Sequence, residues 1–104
     1  MTTSKELAKI RSDYAVAFHR YCSREEEAAL HSAYEIGRDA VVKQLSLFEL
    51  AEIHHGVLFE ALRGAGASEF DEIAAAAPRF FVEVIATFEM TTRGFREHAR
   101  ERSP

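Results

Sequence analysis

The sequence predicts an all-α fold, with four main helices forming a helical bundle. Three observations carry that expectation. Apolar residues recur at three- and four-residue steps, which places them on one side of a helix. Ser-x-x-Glu boxes, which satisfy the free N–H groups of a helix start, stand at Ser23–Glu26 and Ser46–Glu49. The 104 residues include only two prolines and five glycines, and most of the glycines fall at or near expected helix boundaries or linkers.

The first helix is expected from about Ser4 to Cys22. Leu7, Ile10, Tyr14, Ala17, Phe18 and Tyr21 make one stripe along it. The box at Ser23 opens a second helix, with Glu25, Glu26 and Glu27 near its positive end. Its inner face reads Leu30, Ala33, Tyr34, Gly37, Ala40 and Val41. The small residues Ala33, Gly37 and Ala40 allow a neighbouring helix to approach closely. That approach would offset the roughly 1 kcal/mol that a mid-helix glycine costs.

A short turn around Gln44 and Leu45 leads to the box at Ser46, so the second and third helices are expected to be antiparallel neighbours. The third helix runs from about Leu47 to Arg63. Its polar positions Glu49, Glu52, Gly56, Glu60 and Arg63 fall in one narrow arc, and nearly everything else is apolar. A stripe that wide marks a central helix or an interface.

Gly64 to Ser68 is the clearest loop, with a short capped turn possible from Ser68 and Asp71. Pro78 either opens the fourth helix or kinks a longer one, and its fitness for a first turn favours the opening. From Pro78 to about Glu101 the helix would be about 36 Å long against about 26 Å for the third. Its C-terminal turns should therefore project. Phe80, Phe81, Val84, Ile85, Phe88 and Phe95 form its apolar stripe, while Val82 and Ala86 lie off it among polar residues.

One domain is the upper bound at this length. Apolar residues make up 47% and charged residues 29%, an ordinary globular balance. The net charge of −4 argues against nucleic-acid binding, which needs clustered cations. Arg93, Arg96, Arg100 and Arg102 suit the C-terminal end of a helix. No apolar run is long enough to span a bilayer, and the polar N-terminus lacks a secretory signal. The single cysteine, Cys22, fits a reducing compartment, so a cytoplasmic location is expected.

No catalytic set can be assembled, since no nucleophile comes with a base and an oxyanion donor. His54 lies within the apolar stripe of the third helix and reads as a buried neutral imidazole bonded to a neighbouring helix. Glu52 and His55 have the spacing used in helical di-iron sites, but no second Glu-x-x-His accompanies them. His19 and Cys22 could supply two metal ligands and read better as a surface histidine and a small buried cysteine. Gly64-x-Gly66 lacks the preceding strand of a phosphate loop. No cofactor or metal is expected, and the chain reads as no enzyme. A helical-bundle metal protein and a purely structural dimerisation domain remain as alternatives.

Three blocks resemble a known family. They are Ala33-Tyr34-Glu35-Ile36-Gly37-Arg38, Ser46 to Leu58 with His54 and His55, and Phe88-Glu89-Met90-Thr91-Thr92-Arg93-Gly94-Phe95-Arg96-Glu97. In order, over about Tyr14 to Arg100, they resemble the N-terminal domain of RsbU-type phosphoserine phosphatases of the bacterial general stress response. The resemblance implies an all-α homodimer in which helices of two subunits form a four-helix bundle, similar to the C-terminal domain of the clock protein KaiA. It also implies binding of an RsbT-type switch kinase, which activates an attached phosphatase. Members usually continue through a helical linker into a catalytic domain, so an excised domain and a stand-alone homologue both stay open. By matching position, His31 and Val82 would lie on the partner surface, and Glu35 and Glu83 beside them are expected to complete it. The width of the apolar stripes points to a two-fold dimer through the third and fourth helices, with Leu50, Val57, Phe81, Val84, Phe88 and Phe95 as candidate contacts.

Overall fold

The computed structural model describes residues 2–24 and 27–102. Four helices follow one another: α1 (Ser4–Arg24), α2 (Glu27–Val42), α3 (Leu47–Arg63) and α4 (Ala67–Arg102). No strand occurs among the described residues.

Each helix begins or ends for a local reason. Before α1, the Thr3 hydroxyl accepts from the Glu6 N–H (3.1 Å) and the Glu6 carboxylate accepts from the Thr3 N–H (3.2 Å), a reciprocal capping box. The Thr3 hydroxyl also donates to the Glu6 carboxylate (2.9 Å), and that bond, with the one from the Thr3 N–H, holds the Glu6 carboxyl below its usual range. The box expected at Ser46–Glu49 is present, at 3.1 and 3.0 Å. Ser23 behaves differently. It lies inside α1, where its hydroxyl donates to the His19 carbonyl (3.0 Å) and does not open α2. Glu26, the other half of that expected box, lies outside the described residues.

α2 ends with Gln44 in the left-handed region at φ 62°. The Leu45 N–H reaches the Ala40 carbonyl at 2.8 Å and the Gln44 N–H reaches that of Val41 at 3.0 Å, a Schellman closure with Leu45 buried behind it. The Thr2 hydroxyl donates to the Lys43 carbonyl and ties the start of the chain to this turn.

The bundle differs from expectation in three ways. First, α4 begins at Ala67 and passes through Pro78, so the proline sits inside the helix and does not open it. The alanine-rich segment before it has high helix propensity and buries Ile73, Ala76 and Ala77, which carries the helix across the break. Second, α2 and α3 do not pack along each other. α2 lies against α1 and α4, α3 lies against α1 and α4, and α1 touches α4 between them. The short turn after α2 crosses one end of a rhombus whose inner diagonal is α1–α4. Third, α3 lies at the edge of the bundle, so of the two readings of its wide stripe, a central helix or an interface, the first does not hold. At 36 residues, α4 spans about 54 Å and sets the long axis of a molecule measuring 59 × 27 × 19 Å. Residues 93–101 are exposed throughout, which bears out the expected projection.

The core gathers around Tyr14, Phe18 and Phe80, whose rings meet edge-on with Tyr14–Phe80 centroids 5.1 Å apart and Phe18–Phe80 5.6 Å apart. Ile10, Leu50, Ile53 and Val84 close it. The expected close approach at Gly37 is present, since a Cβ there would stand 2.5 Å from the Val84 carbonyl oxygen. Tyr34 was expected inward and is 42% exposed, on the α2 side of a groove between α2 and α4.

Candidate functional site

Two faces of α4 carry the exposed apolar surface. On one flank a groove of 720 Å³ separates α2 from the second half of α4. Tyr34 and Arg38 stand on the α2 bank, and Glu83, Met90 and Phe95 on the α4 bank. Met90 is 70% exposed and Phe95 54%, so the groove is apolar and open. Arg38 and Glu83 add one charge of each sign.

The four expected partner residues surround this groove without all lining it. Glu83 lines it, half-buried. Val82, next in the chain and 63% exposed, stands on the outer surface of α4. His31 and Glu35 occupy the outer crest of α2, where the His31 Nε2 meets a Glu35 carboxylate oxygen at 3.1 Å and the His31 ring stacks 5.9 Å from that of Tyr34. A pair so exposed contributes little to stability. Tyr34 and Met90 were missed as site residues. An apolar residue at the edge of a stripe gives no sequence signal telling core from groove.

On the other flank, α4 meets α3, running antiparallel to it. Leu47, Ile85 and Phe88 form an apolar cleft there, with Thr92 and Arg96 at its rim. Phe48, 72% exposed, follows Leu47 on α3. The candidate dimer residues divide between core and surface. Leu50, Val57 and Val84 are already buried by the single chain, so a second copy has almost no area to gain from them. Phe81 and Phe88 are half-buried on the α3/α4 flank, whereas Phe95 lies in the α2/α4 groove.

Beneath this flank, His54 is held as the sequence leads one to expect. The Tyr14 hydroxyl donates to its Nδ1, and Phe81 covers its ring at a centroid distance of 4.0 Å and an angle of 10°. Burial, with a smaller push from His55, lowers its pKa to about 4, so the imidazole is neutral at pH 7. Burial also raises the Tyr14 phenol, which keeps its proton. That donation takes the neutral imidazole as its Nε2-protonated tautomer, which leaves Nδ1 as the acceptor.

Glu52 and His55 are both exposed, and among the described residues no three His, Cys, Asp or Glu side chains converge as metal ligands. Cys22 is half-buried with its thiol pushed up to about 11, and His19 points outward. No helix among the described residues is long and apolar enough to cross a membrane.

The family model described as "Phosphoserine phosphatase RsbU, N-terminal domain" matches residues 12–91. The chain belongs to this family. No curated protein and no solved structure matches it. The match runs from the third turn of α1 into α4, so all four helices of the RsbU N-terminal domain contribute. Gly94, Phe95 and the exposed end of α4 lie past the matched span.

Proposed function

We propose that this RsbU N-terminal domain is a non-catalytic regulatory module of bacterial stress and partner-switching signalling, acting in the cytoplasm. Its α2/α4 groove docks an RsbT-type switch kinase, and its α3/α4 flank pairs with a second copy. One observation carries the reading: Tyr34, Val82, Met90 and Phe95 are all large, apolar and exposed around one groove. A stretch of apolar surface rimmed by charges marks an interaction site more often than a solvated face. His31, Glu35 and Glu83 supply the polar rim, and Val82 the apolar contact on α4.

The mechanism is helix docking. A kinase seated between α2 and α4 restrains the exposed end of α4, and that helix transmits the event to whatever it joins. No cofactor, metal or nucleic acid takes part.

The test is a titration of the purified protein with an RsbT-type kinase, followed by calorimetry, beside a Val82→Asp variant. Binding by the wild type and loss of about tenfold or more by the variant, with unchanged unfolding, supports the groove as the site. No binding by the wild type, or equal binding by the variant, overturns it.

A further inference from the structure

Gly37 and Gly56 both lie inside helices, where glycine weakens the helix relative to alanine. At Gly37 the contact with α4 explains the residue. At Gly56, apart from its own stretch of helix, nothing among the described residues lies within 4 Å of where a Cβ would stand. Gly94 is equally open, but it lines the α2/α4 groove already assigned. Gly56 is the one that calls for another account.

It sits in a trough between α1 and α3, on the edge of the bundle opposite the α2/α4 groove. Arg11, Ala15 and His19 line the α1 bank, and Glu52, Gly56 and Glu60 the α3 bank. Each bank places its polar side chains eight positions, or about 12 Å, apart, with a small residue midway. Val57 makes an apolar floor, and Phe59 beside it is 53% exposed, with the Arg63 guanidinium 5.7 Å from its ring. Arg11 and Glu52 face each other across the trough yet form no ion pair with any described residue. The trough is therefore lowest at Ala15 and Gly56 and apolar at its base, with the Arg11 cation and His19 on one bank and, on the other, the Glu52 carboxylate and Glu60, whose carboxylate lies 3.9 Å from Arg63.

We propose that this trough is a second docking site, which receives an amphipathic helix of another protein lying along it. The low centre lets a helix backbone approach closely, and a groove between two parallel helices accepts the ridge of a third. Charge complementarity fixes the rest of the occupant. Its edge toward α1 carries Asp or Glu, its edge toward α3 carries Lys or Arg at the eight-residue repeat, and an apolar stripe runs between. The site goes beyond the kinase-binding groove and stands whether or not that groove binds a kinase.

The probe is a helical peptide of about 20 residues, long enough to hold a helix. It carries leucines on one face, two lysines along one edge and two glutamates along the other, each pair at the eight-residue repeat of the banks. Its control has glutamine at all of the charged positions. Titration into isotopically labelled protein, read by amide shifts, is expected to perturb Ala15 and Gly56. The control should bind about tenfold more weakly, as should a Gly56→Leu variant, whose added side chain enters empty space and leaves the fold intact. Val82→Asp should bind the peptide like wild type. Shifts confined to the α2/α4 groove, unchanged binding by Gly56→Leu, or a change in oligomeric state of Gly56→Leu by light scattering would each overturn the proposal. The last outcome would make the trough a contact between copies.

Discussion

Gly37 of α2 and Val84 of α4 approach so closely that a Cβ on Gly37 would stand 2.5 Å from the Val84 carbonyl oxygen and 3.0 Å from the Thr87 Cβ. The obstacle is backbone, which cannot rotate aside. This contact sets the spacing between α2 and α4 and with it the position of the groove that Tyr34 and Met90 line. Ala33 and Ala40, fully buried on either side, extend the same close seam.

Gly37→Ala should therefore destabilise the protein by about 1–3 kcal/mol, the range of overpacked cores, despite the better helix propensity of alanine. Gly56→Ala should do the reverse and stabilise by up to about 1 kcal/mol, because its Cβ meets nothing. Urea unfolding of both variants checks the pair. Equal effects would mean that helix propensity alone governs these sites.

His54 gives the domain a pH dependence with a defined sign. Its folded pKa of about 4 lies below the ordinary value of 6.5, so between those values the unfolded chain binds more protons. Stability should be full above about pH 6.5 and fall as pH drops toward 4, because burial, with a smaller push from His55, disfavours the charged imidazole. The ring is only half-buried, and solvent screening limits the loss to the order of 1–2 kcal/mol. His54→Gln keeps an acceptor for Tyr14 and removes the titration. Unfolding followed across this window should show a flatter profile for the variant, and parallel profiles would remove His54 as the cause.

How much of this was legible depends on the kind of signal. α3 was readable to its ends because Ser46, Glu49 and Gly64 make specific backbone bonds there. The chemistry around His54 was readable because a histidine within an apolar stripe must be neutral and bonded. The start of α4 was misread, because proline favours a first turn locally while burial of Ile73, Ala76 and Ala77 decides the matter globally. The left-handed Gln44 gave no warning, since glycine is the usual residue there. Leu50, Val57 and Val84 show the other limit. Periodicity gives the width of an apolar stripe, but only the arrangement of neighbours divides it between core and interface.

That division yields a prediction for the second copy. Leu47 is 48% exposed on the α3/α4 flank and is the first residue of α3, where an acidic side chain suits the helix dipole. Leu47→Glu should therefore leave unfolding nearly unchanged while shifting the protein toward monomer in sedimentation. Leu50→Asp, three residues on and fully buried, should unfold it instead. A Leu47→Glu protein that keeps the wild-type mass would remove this flank from any dimer.

Pro78 supplies the last test, of α4 as one continuous helix. Inside a helix, proline withholds the N–H that would reach the Ala74 carbonyl and crowds that carbonyl with its ring. Ala74 and Pro78 are both exposed, so water can take up the freed carbonyl and the break is tolerated. Pro78→Ala would restore the bond at a position where no core packing needs the ring. It should raise stability by about 1–3 kcal/mol in urea unfolding and leave helix content by circular dichroism the same or slightly higher. A loss of stability would mean that the fixed proline backbone starts a separate helix at Pro78, as its position in the sequence first implied, and the segment from Ala67 would then pack as a distinct element.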